Sequence, residues 1–297
     1  MRIAVVGSIN IDQTVISERI PKKGETLFGS SINYIPGGKG ANQAVAMAKL
    51  GAEVEMFGCI GDDDNGHQMI ENLKKNNIET KNIRVILGVP TGIAIITLGD
   101  NDNTIVVVKG ANDKVDKGYI DSIKDSLLKY DMVVLQHEIP LETVHYIVDL
   151  CYENNIPTVL NPAPAADVPQ DIIDKVTYLT PNEHEVGLIF GKNEPLEKLL
   201  KRYPKKLIVT LGSDGVVCAV NENEIVKVPV RKTKIVDTTG AGDTLNGAFC
   251  VRISEGDDIK DALKYANIAA SLSIEKLGAQ SGMPTAEEVE EAMEEIK

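Results

Sequence analysis

The sequence predicts an α/β fold: a central, mostly parallel sheet of Rossmann-type three-layer build with helices on both faces, plus a small antiparallel β lid. Three observations carry this. Short β-branched runs followed by helical patterns recur along most of the chain, as expected of parallel strands buried between helices. Two stretches have extended patterns but no helix of their own. Glycine clusters stand where strands give way to helices, the edge at which open α/β sheets bind ligands.

Strands are expected at Ile3 to Val6, Val54 to Phe57, Met132 to Leu135, Thr158 to Leu160, Tyr178 to Thr180 and Leu207 to Leu211. Helices between them are expected at about Asn65 to Asn76, Lys117 to Leu128, Leu141 to Glu153 and Leu196 to Tyr203. The lid is assigned to two segments, about 12–35 and 91–109. In the second, two apolar runs flank Gly99-Asp-Asn-Asp-Asn103 and read as a hairpin. Ile93, Ile95, Ile105 and Val107 are expected on one lid face, left exposed in a monomer. The alternative is that both segments are edge strands of the main sheet. Strands near Val216 to Val220 and Ile225 to Val230 close the strand-rich part. In Asp258 to Lys276, residues Ile259, Leu263, Ala266, Ala270 and Ile274 recur at helical spacing. With no repeat or linker, 1–297 reads as a single domain.

The chain has 297 residues, 43% of them hydrophobic, enough for a substantial core. A net charge of −13 and a pI near 4.9 argue against nucleic-acid and anionic-membrane partners, so an anionic substrate must be held locally. Cys59, Cys151, Cys218 and Cys250 form no CxxC pair and sit in apolar stretches. Reduced core thiols are expected, in a cytoplasmic protein. The apolar run after Met1-Arg2 is too short for a signal peptide, and no stretch approaches the roughly 20 residues of a membrane span.

The segment Asp237-Thr-Thr-Gly-Ala-Gly-Asp-Thr244 follows a short extended run, Lys234 to Val236, and precedes a helix expected from Thr244 to Ser254. A glycine turn opening a helix presents N–H groups and the positive end of the helix dipole, an anion hole for a phosphate. A tight turn capped by Asp243 is the plainer reading. No GxxxxGK[ST] occurs, and Gly240-Ala-Gly242 lacks the third glycine of a dinucleotide fingerprint. A second cluster, Pro36-Gly-Gly-Lys-Gly-Ala-Asn-Gln-Ala44, precedes an alanine-rich helix and places Lys39 and Asn42 at its start, toward a ligand or as part of an ordinary capped loop. Gly7-Ser-Ile-Asn-Ile-Asp12 puts Asn10 and Asp12 at the end of the first strand.

These three segments, in this order, closely resemble the ribokinase branch of the PfkB carbohydrate kinases. Leu160-Asn-Pro-Ala-Pro164, Thr180-Pro-Asn-Glu-His-Glu185, Thr210-Leu-Gly-Ser213 and Lys276-Leu-Gly-Ala-Gln280 support the match, which spans nearly the whole chain. The resemblance implies ATP-dependent phosphorylation of a sugar, D-ribose at its primary hydroxyl. Asp243 then accepts the hydroxyl proton, while the N–H groups of Gly240, Ala241, Gly242 and Asp243 hold the transferring charge. It implies sugar contacts from Asn10, Asp12, Gly38, Lys39, Asn42, Glu138 and Asp243. Without the resemblance, Glu138 reads as a surface carboxylate at a strand end.

Nucleotide contacts are implied for Asn182, Thr210, Gly212, Gly242 and Asn267. Glu185 is implied to place magnesium-bound water, in keeping with the reluctance of magnesium to dehydrate. A potassium-like cation is implied beside the anion hole, at Asp237, Thr239, Ser273, Lys276, Gly278 and Gly282, mostly through carbonyls. Gly282 stands where relatives commonly carry serine. His184 has no partner spacing for zinc, and His67, His137 and His145 read as structural or exposed. The resemblance also implies a homodimer through paired lids. Other substrates of the same chemistry remain open: adenosine, a fructose phosphate or a keto-deoxy sugar acid. Lys39 alone supplies positive charge in the sugar motifs, which disfavours an acidic substrate. A non-catalytic regulator of this fold would be expected to lack Asp243 or the Gly-Ala-Gly turn, and both are present.

Overall fold

The computed structural model describes residues 1–100, 102–191 and 194–295. In chain order the elements are β1 (Arg2–Val6), β2 (Asn10–Ile16), β3 (Ser31–Gly37), α1 (Lys39–Lys49), β4 (Glu53–Gly61), α2 (Asp64–Lys75), β5 (Ile83–Ile86), β6 (Gly92–Gly99) and β7 (Asp102–Val108). Next come α3 (Lys117–Leu127), β8 (Met132–Gln136), α4 (Leu141–Glu153), β9 (Thr158–Asn161), α5 (Gln170–Lys175), β10 (Tyr178–Leu179), α6 (Glu183–Ile189) and α7 (Leu196–Arg202). The last are β11 (Ile208–Thr210), β12 (Val216–Asn221), β13 (Glu224–Val228), α8 (Ala241–Glu255), α9 (Ile259–Ser273), α10 (Ala279–Gly282) and α11 (Ala286–Glu294).

The main sheet runs β10-β9-β8-β1-β4-β5, and every pairing in it is parallel. Alternation along β1 shows how it is covered. Ile3 and Val5 enter one apolar cluster with Val45 of α1, Leu73 of α2, Phe249 of α8 and Leu263 of α9. Ala4 and Val6 enter the other, with Ile120 of α3, Val144 of α4, Ile172 of α5 and Leu199 of α7. Burying each such aliphatic side chain contributes on the order of 1.5–3 kcal/mol, and both faces of every central strand supply it. The strand expected at Leu207 to Leu211 forms an antiparallel sheet, β11-β12-β13, rather than a rung of the parallel one. Single parallel bridges, Leu179 with Leu207 and Asn182 with Thr210, join it to the edge of the main sheet.

The lid is a separate sheet of order β3-β2-β6-β7, so the edge-strand alternative falls. Its outer pairings are antiparallel, but its central pair, β2 with β6, is parallel. Both strands leave the body in the same direction, and only β3 and β7 fold back. Within the first lid segment, residues 17–30 carry no strand. Asn101, part of the expected hairpin turn, lies outside the described residues.

The lid register corrects one expectation. Ile95 stands opposite Val106, and Ile93 opposite Val108, whereas Ile105 pairs with Ile96 and Val107 with Ala94. Ile93 and Ile95 therefore share a face with Val106 and Val108, and Ile105 and Val107 lie on the other. Lys234 to Val236 joins no strand either; Val236 donates its N–H to the Ile274 carbonyl at 2.8 Å.

Candidate active site

The parallel strands deliver the predicted residues to one edge. Asn10 follows the end of β1, Glu138 the end of β8 and Asn161 closes β9, while Asn182 and Thr210 lie side by side beyond β10 and at the end of β11. The two glycine-led helices complete the crevice. Residues Gly38 and Gly240 precede α1 and α8 with φ of 87° and 78°, a left-handed turn that a residue with a Cβ enters only under strain.

Helix α8 begins at Ala241, three residues before the expected start, so Asp243 belongs to its first turn and does not cap it. No side chain caps this helix. Among the described residues, the N–H groups of Gly242 and Asp243 find no acceptor, and a Cβ on Gly242 would meet nothing within 4 Å. Open space thus faces unpaired N–H groups at the positive end of a helix, which is what an anion hole requires.

Asp243 itself is buried, 5% exposed. Its Oδ2 accepts from Asn42 Nδ2 at 3.0 Å and its Oδ1 from Gln43 Nε2 at 3.1 Å. Small residues make this contact between α1 and α8 possible. A Cβ on Gly247, one turn after Asp243, would lie 2.6 Å from the Cβ of Ala46, one turn after Asn42. The amides are anchored in turn: Gln280 Nε2 donates to Asn42 Oδ1 at 3.0 Å, and Asn72 Nδ2 to Gln280 Oε1 at 2.7 Å.

Charge converges on the same place. Burial, then Glu138 and Asp243, push the Asp12 carboxyl up to about 7. Lys39 is held above the usual lysine range, chiefly by Asp243 and also by Glu138 and Glu185. Asp243, Glu138 and Glu185 around one lysine, with Asp12 beside the first two, suit a ligand rich in hydroxyls and leave little room for an acidic one. Glu138 is no surface carboxylate: it accepts from the backbone N–H of Lys39 at 2.9 Å and from the Ser8 hydroxyl. Asn10 accepts from Asn112 Nδ2 at 2.7 Å, and Asp12 packs so closely over Gly37 that a Cβ there would lie 2.4 Å from its carboxylate.

Asn182 and Glu185 form a capping box at the start of α6, in which Glu185 accepts the Asn182 N–H at 2.8 Å. Burial holds Glu185 above the ordinary carboxylate range. Thr210 ends β11, and Gly212, exposed with φ of 53°, opens the following turn. Asn267 is buried and donates to the carbonyls of Val228 at 3.2 Å and Pro229 at 2.6 Å, so its amide ties α9 to the exit of β13.

Beside the anion hole, Asp237 accepts from Thr239 N at 2.9 Å and from Gly278 N at 2.8 Å. Burial alone would raise its carboxyl, but these hydrogen bonds hold it below the usual range. A Cβ on Gly282 would lie 2.4 Å from the Ser273 carbonyl oxygen and 3.5 Å from that of Lys276, so carbonyls crowd this turn. The Lys276 ammonium is drawn off to Glu288 at 2.8 Å. His67 and His184 are exposed, and burial pushes the His137 imidazole down to about 4, so it is neutral. Among the described residues, no three His, Cys, Asp or Glu side chains converge to hold a metal by themselves.

Sequence reasoning gave no role to Gln43, Gln136, Asn161, Asn246 or Gln280, which build the polar network under Asp243. Gln43 sits within the glycine-lysine cluster itself, next to Asn42. Its signal was a long amide at a helix start, between small residues that bring another helix close.

The model of the pfkB family of carbohydrate kinases matches residues 1–286. A ribokinase of Bacillus subtilis (strain 168) is 47% identical over 291 residues, which is 98% of this chain and 99% of that protein. The crystal structure of a ribokinase from Thermotoga maritima superposes with a TM-score of 0.89 at 38% identity, covering 98% and 99% of the two chains. A structure of Arabidopsis thaliana ribokinase complexed with ribose and ATP gives a TM-score of 0.86 at 30% identity, over 97% of each chain.

Proposed function

The chain belongs to the pfkB family of carbohydrate kinases, and on that premise we propose that it transfers the γ-phosphoryl group of ATP to the primary 5-hydroxyl of D-ribose, giving ribose 5-phosphate and ADP. One observation carries the reading: a buried carboxylate, Asp243, stands in the first turn of a long helix where the N–H groups of Gly242 and Asp243 find no acceptor and open space lies beside Gly242.

In this reading the sugar lies among Asn10, Asp12, Gly38, Lys39, Asn42 and Glu138, with its hydroxyl against Asp243. The hydroxyl oxygen bonds to the γ-phosphorus as the bond to the ADP oxygen breaks, and ADP departs with that electron pair. The proton passes to Asp243. Transfer through a loose transition state asks for alignment more than for a strong base, so Asp243 holds and orients the hydroxyl and takes its proton late. The N–H groups of Gly240, Gly242 and Asp243 offset charge on the transferring group; that of Ala241, expected to join them, donates instead to the Thr238 carbonyl at 3.2 Å. Asn182, Thr210, Gly212 and Gly242 line the nucleotide, with Asn267 supporting the wall beside the base.

ATP as the donor implies magnesium, which neutralises phosphate charge when bound. A single carboxylate, Glu185, with one oxygen in its capping box and the other free to accept from a water, fits an ion held mainly by phosphates. We assign a monovalent cation to the turn formed by Asp237, Thr239, Ser273, Lys276, Gly278 and Gly282, where the crowded carbonyls support it. At Gly282 a backbone carbonyl is the one available ligand.

Residues 1–297 act as one domain in this reading, with the lid segments at about 12–35 and 91–109 closing over the sugar and pairing two copies into a homodimer. Among the described residues no helix is long and apolar enough to cross a membrane. The four buried free cysteines support a reducing, cytoplasmic setting, which cell fractionation would test.

An ATP-consumption panel with ribose, deoxyribose, fructose, fructose 6-phosphate and adenosine, run in potassium and again in sodium, tests the assignment. Ribose should give the highest kcat/KM, and potassium the higher rate. Preference for adenosine or fructose 6-phosphate overturns the ribose assignment, and equal rates in the two salts overturn the cation site.

A further inference from the structure

Gln43 is fully buried and touches Asp243 from the side opposite Asn42. Its Nε2 donates to Asp243 Oδ1 at 3.1 Å and to Asn161 Oδ1 at 3.2 Å, while its Oε1 accepts from Gln136 Nε2 at 2.7 Å. A glutamine can be placed in two orientations that differ by a flip, and here the neighbours choose. The Thr180 carbonyl can only accept, so Asn161 turns its Nδ2 toward it, at 3.0 Å, and its Oδ1 toward Gln43. Gln43 must therefore present its NH2 group to Asn161, and the same group meets the Asp243 carboxylate. A flipped Gln43 would set its carbonyl oxygen against two acceptors.

The arrangement carries a cost that packing alone would not select. With Gln136 Nε2 turned to Gln43, Gln136 Oε1 is buried without a partner, a penalty of roughly 1–3 kcal/mol. Gly7 makes room for that oxygen, which would lie 2.1 Å from a Cβ at this position. A second branch returns to the same helix turn. Thr180 donates its hydroxyl to Asn246 Oδ1, and Asn246 Nδ2 donates to the Gly242 carbonyl at 2.8 Å. The network thus grips both the carboxylate and the backbone of the turn that holds it.

We propose that Gln43, held by Gln136 and Asn161, is the positioning residue that aims Asp243 at the acceptor hydroxyl. This rests on the reading of Asp243 as the base. An ionised carboxylate has about four lone-pair directions, and Asn42 and Gln43 each take one. The carboxylate plane is then fixed at both oxygens, and the remaining directions face the ligand crevice. Asn42, at the crevice wall, has a sugar to bind as well. Gln43 lies beneath and has only the carboxylate and its own anchors to serve.

The test uses the intact protein and three variants. Gln43→Leu keeps volume but removes the hydrogen bonds, and should lower kcat about 100-fold with the KM for ATP changed less than about threefold, the loss expected of a misplaced reacting group. Gln43→Glu is isosteric and gives the sharper readout. Its protonated acid can still donate to Asp243, but once both groups ionise they repel. Its kcat should therefore fall away on the alkaline side of a pH profile where the wild-type protein keeps its rate, with thermal unfolding showing the variant folded across that range. A merely structural glutamine would give a profile parallel to wild type, and that result overturns the proposal. So does a folded Gln43→Leu with wild-type kcat. If Gln43→Leu fails to fold, the Gln43→Glu profile decides. Asp243→Asn separates the two levels: if it is inactive while the Gln43 variants behave as wild type, this inference alone falls. If it keeps wild-type turnover, the reading of Asp243 falls and takes this inference with it.

Discussion

Asp12 is half-buried beside two other carboxylates, Glu138 and Asp243, and burial with their repulsion pushes its pKa from 3.8 up to about 7. Below pH 3.8 the group is protonated whether the chain is folded or not. Between that value and about 7 the folded protein keeps the proton and the unfolded chain loses it, so stability falls as pH rises through this window. In the proposed sugar site recognition pulls the other way, since an ionised Asp12 accepts more hydrogen bonds from hydroxyls than a protonated one. We predict that kcat/KM for ribose falls on the acid side with an inflection near 7. Asp12→Asn should flatten that inflection, lower kcat/KM, and raise the thermal unfolding midpoint at pH 8. An unchanged inflection in the variant would assign it to another group. The sequence was enough to single out Asp12, because it ends the glycine-led run after the first strand. Its proton was not legible, because the neighbouring carboxylates lie more than 100 positions further along the chain and the fold alone brings β3 and β6 to either side of it.

Helices α1 and α8 meet through Ala46 and Gly247, and that contact sets the reach from Asn42 and Gln43 to Asp243. A methyl group at Gly247 would overlap Ala46, and separating two packed helices to admit it costs typically 1–3 kcal/mol. Gly247→Ala should lower the urea unfolding midpoint accordingly and reduce kcat as well, because Asp243, the proposed base, and its amide donors lie on opposite helices. A variant as stable and active as wild type would show that the helices separate without penalty. Periodicity located helices such as α2, α3 and α4 to within a residue or two, since each buries one apolar stripe. It could not foresee that α8 starts at Ala241. That depends on Gly240 adopting a left-handed turn against Ala279, which lies 39 positions further on.

At the scale of the molecule, the lid stands out from an otherwise well-covered body. Ile32, Tyr34, Ile95, Val106 and Val108 are exposed and share one face by register, an apolar surface of the kind that pairs with a second copy. Replacing Ile95 and Val106 together by lysine should convert a dimer to a monomer in sedimentation equilibrium at micromolar concentration. A wild-type protein that is already monomeric there would refute the paired-lid assembly. The lid was legible because β2 and β6 lead into further strands rather than into helices. Its faces were not, because hairpin register is set by the turn, and a slip of one residue exchanges the faces of a whole strand. The parallel pairing of β2 with β6 also escaped the pattern, since strand direction leaves no mark on alternation.

Strand β2 spans seven residues and serves two masters by turns. Its even positions include Asn10 and Asp12, which belong to the proposed sugar site. Of its odd positions, Gln13 and Val15 are half-buried on the face that carries Tyr34 and Ile95, while Ile11 on the same face is buried in the core of the body. In the proposed paired-lid assembly, what the site accepts and how copies associate are therefore written on alternate residues of one short strand. An insertion or deletion there would move both sets of residues at once, because the two faces share one register.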